Sequence, residues 1–83
     1  MEITVGRTYR AKKPAATRSG YVNDRQVVYV GELNGQIQYD GPAIPIGGRM
    51  KWASKAEFEA WAARDVTDEQ PNNEWTLWER GIK

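Results

Sequence analysis

Arg25-Gln-Val-Val-Tyr-Val-Gly-Glu-Leu-Asn-Gly-Gln-Ile-Gln-Tyr-Asp40 is the stretch on which the fold turns. Two β-prone runs flank Asn34-Gly35, the dipeptide that most readily supplies the two positive φ angles of a type I′ hairpin. A two-residue turn at Asn34-Gly35 predicts that Val30 faces Tyr39 and Glu32 faces Ile37. One face of the ribbon then carries Val28, Val30, Ile37 and Tyr39. The other carries Val27, Tyr29, Leu33, Gln36 and Gln38. The first face is apolar and is the expected core.

Upstream, Thr4-Val5-Gly6-Arg7-Thr8-Tyr9-Arg10-Ala11-Lys12 reads as a first strand, bent at Gly6. Residues 13–20 carry Pro, Ser and Gly with no sustained periodicity and read as a loop. Tyr21-Val22 starts the second strand early, with Asn23-Asp24 as a turn or bulge before Arg25. Downstream, residues 41–48 hold two prolines and three glycines, which exclude a regular interior element. Ile44 and Ile46 in that loop are expected core plugs. Met50-Lys51-Trp52-Ala53 is a short strand.

Ser54-Lys55-Ala56-Glu57 is a capping box, in which the Ser54 hydroxyl accepts the Glu57 N–H and Glu57 reaches back. Phe58, Trp61 and Ala62 recur at i, i+3 and i+4 and predict a helix of about three turns, fading near Arg64-Asp65. Val66-Thr67 leads into a polar loop over residues 68–73. Glu74-Trp75-Thr76-Leu77-Trp78-Glu79-Arg80 alternates at period two and is assigned as the last strand. Gly81-Ile82-Lys83 is expected to fray. The predicted order is four strands, one short helix and a final strand, with Phe58 and Trp61 packed on Val28, Val30, Ile37 and Tyr39. The fold class is mainly β with one short helix: a small, strongly bent antiparallel SH3-like barrel with its helix before the last strand. Residues 1–83 form a single domain, since 83 residues leave no room for a second core.

The pattern Gly6-Arg7-x-Tyr9-Arg10, the strand Arg25-x-Val27-Val28-Tyr29 and the later Ser54, Phe58 and Trp61 of the helix resemble small bacterial and prophage-borne SH3-like proteins of uncharacterised function. The resemblance spans most of the chain and rests on packing residues. It implies a fold and a bacterial or phage origin, and carries over no catalytic residue.

Composition narrows the chemistry. The chain has no histidine, which removes the usual general base near neutral pH and the main nitrogen ligand for zinc. It has no cysteine, which removes thiol nucleophiles, thiolate metal sites and disulfides, and fits a reducing compartment. Asp65, Asp68 and Glu69 cluster at the end of the predicted helix and read as a solvated acidic patch, without EF-hand spacing. Neither Gly6 nor Gly47-Gly48-Arg49 belongs to a phosphate-binding fingerprint. A non-enzymatic protein without metal or cofactor is therefore expected. Met1-Glu2-Ile3-Thr4-Val5 opens no basic and then apolar leader, and no run approaches the ~20 apolar residues of a membrane span. The expected location is cytoplasmic, with no membrane partner.

Binding remains, in two versions. Trp52, Trp75, Trp78 and Tyr21 exceed the expected core, and Trp, Tyr and Arg are the residue types that anchor protein interfaces. An adaptor, an inhibitor or a self-associating module is the first expectation. The alternative is a nucleic-acid module. Net charge is only +1, but residues 1–51 carry eight basic and four acidic side chains. Arg7, Arg10, Lys12, Lys13 and Arg18 lie on the first strand and its loop, and Arg49 and Lys51 adjoin Trp52. Cations on a backbone track with aromatics to stack bases is how barrel folds hold single strands. The candidate binding surface is accordingly Arg10, Lys12, Lys13, Arg49, Lys51 and Trp52.

Overall fold

A computed structural model describes residues 1–45, 47–70 and 74–79. Five strands form one antiparallel sheet: β1 (Thr8–Ala11), β2 (Arg25–Val30), β3 (Gln36–Asp40), β4 (Lys51–Ser54) and β5 (Ala62–Asp65). Their spatial order is β4-β3-β2-β1-β5, so the strand before the helix and the strand after it form opposite edges. Helix α1 (Lys55–Trp61) joins those two edges directly. The sheet is mainly β with one helix, as expected, but it does not close into a barrel.

The β2–β3 hairpin forms with a different register from the predicted one. Gly31 donates its N–H to the Gln36 carbonyl at 2.8 Å, and Gly35 donates to the Gly31 carbonyl at 3.1 Å. Four residues, Glu32 to Gly35, therefore make the connection in place of two. The Asn34 Oδ1 accepts the Gln36 N–H at 3.0 Å, and a Cβ on Gly31 would lie only 2.1 Å from that oxygen. Gly31 is what lets the Asn34 side chain fold inward. Gly35 supplies the left-handed φ of +64° that ends the connection.

Val30 consequently opposes Ile37 rather than Tyr39. A slip of two residues preserves the alternation of faces. A bulge between Val27 and Tyr29 does not. Val27 opposes Tyr39, and Val28 is the extra residue. Val27 is thus fully buried while Val28 is not, which replaces Val28 by Val27 in the predicted core.

The core gathers Ile3, Tyr9, Val27, Ile37, Phe58 and Ala62, with Val30, Tyr39 and Trp61 packed at its margin. Phe58 sits at its centre. Its ring meets Tyr9 edge-on at 5.7 Å, Tyr39 at 5.8 Å and Trp61 at 5.2 Å between centroids. The Tyr9 hydroxyl accepts the Thr4 N–H at 2.8 Å and donates to the Glu2 carbonyl, which ties the N-terminal segment over the core.

The capping box forms as predicted, with both the Glu57 N–H to Ser54 Oγ and the Ser54 N–H to Glu57 Oε1 bonds at 3.1 Å. The helix is shorter than its sequence pattern. It ends at Trp61 because Ala62 turns extended, at φ −80° and ψ 133°, and Lys12 donates its N–H to the Trp61 carbonyl. Ala62-Ala-Arg-Asp65 then pairs with β1 as the fifth strand. The predicted last strand is overturned: among the described residues of that stretch, Leu77 alone makes a bridge, to Tyr21, and Arg80 lies outside them. Ile46 and the predicted frayed end also lie outside the described residues, while Ile44 is half-buried.

Candidate functional site

Side chains alternate across a strand, so the face opposite the core carries Thr8 and Arg10 of β1, Gln26 and Tyr29 of β2, Gln38 and Asp40 of β3 and Trp52 of β4. This outer face is treated differently at its two ends. Beside β1 the chain covers itself. Ala16 bridges to Val22, Tyr21 bridges to Leu77, Val22 donates its N–H to the Thr76 carbonyl, and Trp78 donates to the Gly20 carbonyl. Val22 and Asp24 are wholly buried by this arrangement.

Arg10 is buried there too. Its Nε and Nη2 donate to the two Asp24 carboxylate oxygens, both at 3.0 Å, in a two-pronged pair. Arg10 is 6% exposed and Asp24 0%. The predicted basic stripe therefore loses its central member: Arg10 is a structural cation inside the fold. The other expected residues divide into two groups. Lys12 and Lys13 are exposed at the end of β1, beside a hollow of about 220 Å³ lined with Ala11, Ala60 and Trp61. Arg49, Lys51 and Trp52 lie on or just before β4, with β3 and β2 between them and β1. Along the sheet they stand three strands from Lys12 and Lys13.

At the β4 end the outer face is open. Tyr29, Gln38 and Trp52 stand side by side across β2, β3 and β4. The Tyr29 and Trp52 rings meet edge to face at 5.9 Å and 73°. Even so, Tyr29 is 48% and Trp52 54% exposed. Leu33 projects fully exposed from the hairpin tip next to Tyr29, and Met50 is exposed before β4. An aromatic pair that shields itself only in part, with aliphatic neighbours, is an unusual use of surface for a chain with so little core to spare. Tyr29 and Leu33 are the residues missed in the sequence-derived site. Their signal was present, since both fell on the face of the hairpin opposite the core.

The remaining aromatics have internal duties. The Arg25 guanidinium lies over the Tyr39 ring at 4.4 Å and the Trp61 ring at 4.1 Å. Burial lowers its pKa, an effect Tyr39 partly offsets, but a guanidinium stays charged at neutral pH. Arg25 thereby closes the margin of the core as a cation between two π faces. Trp75 is half-buried and lines a polar cleft of about 480 Å³ with Thr8, Gln26, Asp40, Thr67 and Gln70. Trp78 and Tyr21 are likewise half-buried.

The acidic run is not a free patch. Asp65 accepts from Arg7 Nε at 2.7 Å, Asp68 accepts from Arg7 Nη2 at 3.5 Å, and Glu69 pairs with Arg64. No group of three His, Cys, Asp or Glu side chains among the described residues is placed to hold a metal ion. Among them too, no helix is long and apolar enough to cross a membrane.

Two carboxyls sit below their ordinary pKa. Desolvation pushes Asp65 up, but hydrogen bonds from Arg7 and Thr67, with the Arg7 charge, outweigh it. Glu57 is lowered first by the backbone N–H of Ser54 and then by its side chain. As pH falls the unfolded chain takes up protons on these residues before the folded protein does. Their stabilisation is complete above the carboxylate range of the unfolded chain and is lost as pH falls through that range and on through the lowered pKa values of the folded carboxyls. The urea midpoint should fall across that interval, and more gently in a Glu57→Gln, Asp65→Asn variant. An equally steep fall in that variant would assign the acid sensitivity to other groups.

Comparison with known proteins finds no matching family model, no matching curated protein and no matching solved structure.

Proposed function

We propose that this chain is a non-enzymatic binding domain that acts through a protein–protein interface centred on Trp52 and Tyr29. The observation that carries the proposal is the half-exposed aromatic pair on the open end of the sheet. Large, rigid rings of this kind supply most of the binding energy at protein interfaces, at little cost in side-chain entropy. Leu33 and Met50 extend the apolar area, while Lys51, paired with Tyr39 of β3, leaves β4 on the other face at the same edge. The nucleic-acid reading is weakened by the burial of Arg10 against Asp24, which removes the central cation of the predicted stripe.

The SH3-like reading of the fold belongs with this proposal. It is supported by the strand order β4-β3-β2-β1-β5 and by a short helix that runs from one edge strand to the other.

Selection from a random-peptide library on the immobilised protein tests the function, with affinities of the selected peptides then measured in solution. Trp52→Ala should weaken them by about 2 kcal/mol, some thirtyfold, with the circular dichroism spectrum unchanged. Selected peptides indifferent to both Trp52→Ala and Tyr29→Ala would overturn this placement of the interface. Light scattering on the same samples reports whether the wild-type chain pairs with itself.

A further inference from the structure

β4 is hydrogen-bonded to β3 on one side, and among the described residues no strand lies on its other side. Alternate N–H and C=O groups of an edge strand point outward, ready to pair with another chain. Arg49, Met50, Lys51 and Trp52 are all exposed, so nothing described lies over the start of this edge.

Charge decides what fits. Arg49, Lys51 and Lys55 lie in a seven-residue window without a single acid. None of the three takes part in an ion pair among the described residues. A second copy of β4, added antiparallel about a two-fold axis, would lay this basic run against another basic run, with Lys51 facing its own equivalent when the axis passes through it, and like charges facing across strands repel. Self-pairing is therefore the disfavoured use of this edge. An acidic strand reverses every one of those terms. Trp52 stands at this edge on the outer face, and Tyr29, two strands in, packs against its ring from the far side. A strand added there would place alternate side chains beside Trp52 and the intervening ones beside Lys51.

A nucleic acid also carries negative charge, but its backbone has no N–H donors at strand spacing to satisfy the edge. The two rings, inclined at 73°, also offer no parallel faces to successive bases. We infer that the free edge of β4 takes up an extended acidic segment of a partner protein as an added strand, with an apolar side chain of that segment beside Trp52. The inference rests on the Trp52 face being a protein interface, and it specifies the partner's chemistry and its mode of pairing.

The probes are capped seven-residue peptides in which glutamate alternates with valine around a central leucine, and the same peptides with lysine for glutamate. Fluorescence anisotropy should show the acidic peptide binding at least about tenfold more tightly, with the preference shrinking as salt rises. Arg49→Glu with Lys51→Glu should abolish that preference; both positions are exposed, so the variant keeps its fold. Two further acidic peptides carry N-methyl groups on alternate amides, one set in each phase. Only one phase should lose binding, about tenfold or more, because only alternate amides face the edge. Equal effects of the two phases would overturn the added strand. Tighter binding of a dT oligonucleotide, lost in the same charge-reversed variant, would overturn it in favour of nucleic acid. Library peptides that depend on Trp52 but show no acidic bias would sink this inference alone. The absence of any Trp52-dependent peptide would sink the protein interface with it.

Discussion

Replacing Phe58 by alanine should cost about 3–5 kcal/mol and shift the urea midpoint far toward zero denaturant. The ring is wholly buried and touches Tyr9 from β1, Tyr39 from β3 and Trp61 from its own helix. Those three rings come from separate elements, so none can collapse into the space without pulling a strand or the helix with it. The cost thus combines lost transfer energy with a persistent cavity. Small domains hold only about 5–10 kcal/mol in total, so one substitution removes much of the margin. A urea melt of Phe58→Ala beside Leu33→Ala makes the comparison clean. The exposed leucine should change stability by no more than about 0.5 kcal/mol. A Phe58→Ala loss below about 1 kcal/mol would mean that the aromatic cluster is not the centre of the fold.

The second large effect is expected at Asp24. Removing its carboxylate with Asp24→Ala leaves the Arg10 guanidinium buried without its counter-charge, at an expected cost of about 3–5 kcal/mol. The pair itself contributes less than that figure suggests, because both ions had to leave water to form it. Replacing both, as Arg10→Met with Asp24→Leu, should therefore recover most of the loss. A double-mutant cycle by urea denaturation measures the coupling directly. Losses that simply add would show that the two side chains do not depend on each other, against their two-pronged contact at 3.0 Å. The pair also has a topological role. It fastens the turn before β2 to the middle of β1, where the strands pair only briefly, Thr8 with Gln26 and Tyr9 with Arg25.

The parts of this fold that local chemistry controls are legible in the sequence. Ser54 and Glu57 sit at the spacing a helix start requires, and the hairpin runs are β-branched on both sides of a turn dipeptide. The parts that distant partners control are not. Ala62-Ala-Arg-Asp65 has no β propensity to speak of; it is extended because β1 offers it a ladder. Glu74 to Glu79 has the alternation of a strand but makes only a bridge, and Leu77, one of its apolar positions, points to water. The bulge at Val28 is invisible in a composition that reads Val-Val. Arg10 looks like any surface cation until Asp24, in a turn 14 residues away, is folded against it. The open aromatic pair was half legible: Trp52 stood out by type, while Tyr29 became significant only when β4 placed Trp52 beside it.

Placing the last strand against the first has a consequence for how the molecule comes into being. Arg7 and Asp65, which clasp each other at the end of the β1–β5 ladder, lie 58 residues apart in the chain. The β2–β3 hairpin closes over four residues; the β1–β5 pairing must close the whole stretch from Ala11 to Ala62, at a far greater loss of chain entropy. On a ribosome, Tyr9 and Ala11 emerge well before the strand that completes their ladder. Until then, one side of β1 is an unpaired strand with aromatic cargo. The chain must therefore carry an unfinished sheet until residues 62–65 are made, and its yield in the cell should depend on how quickly they arrive.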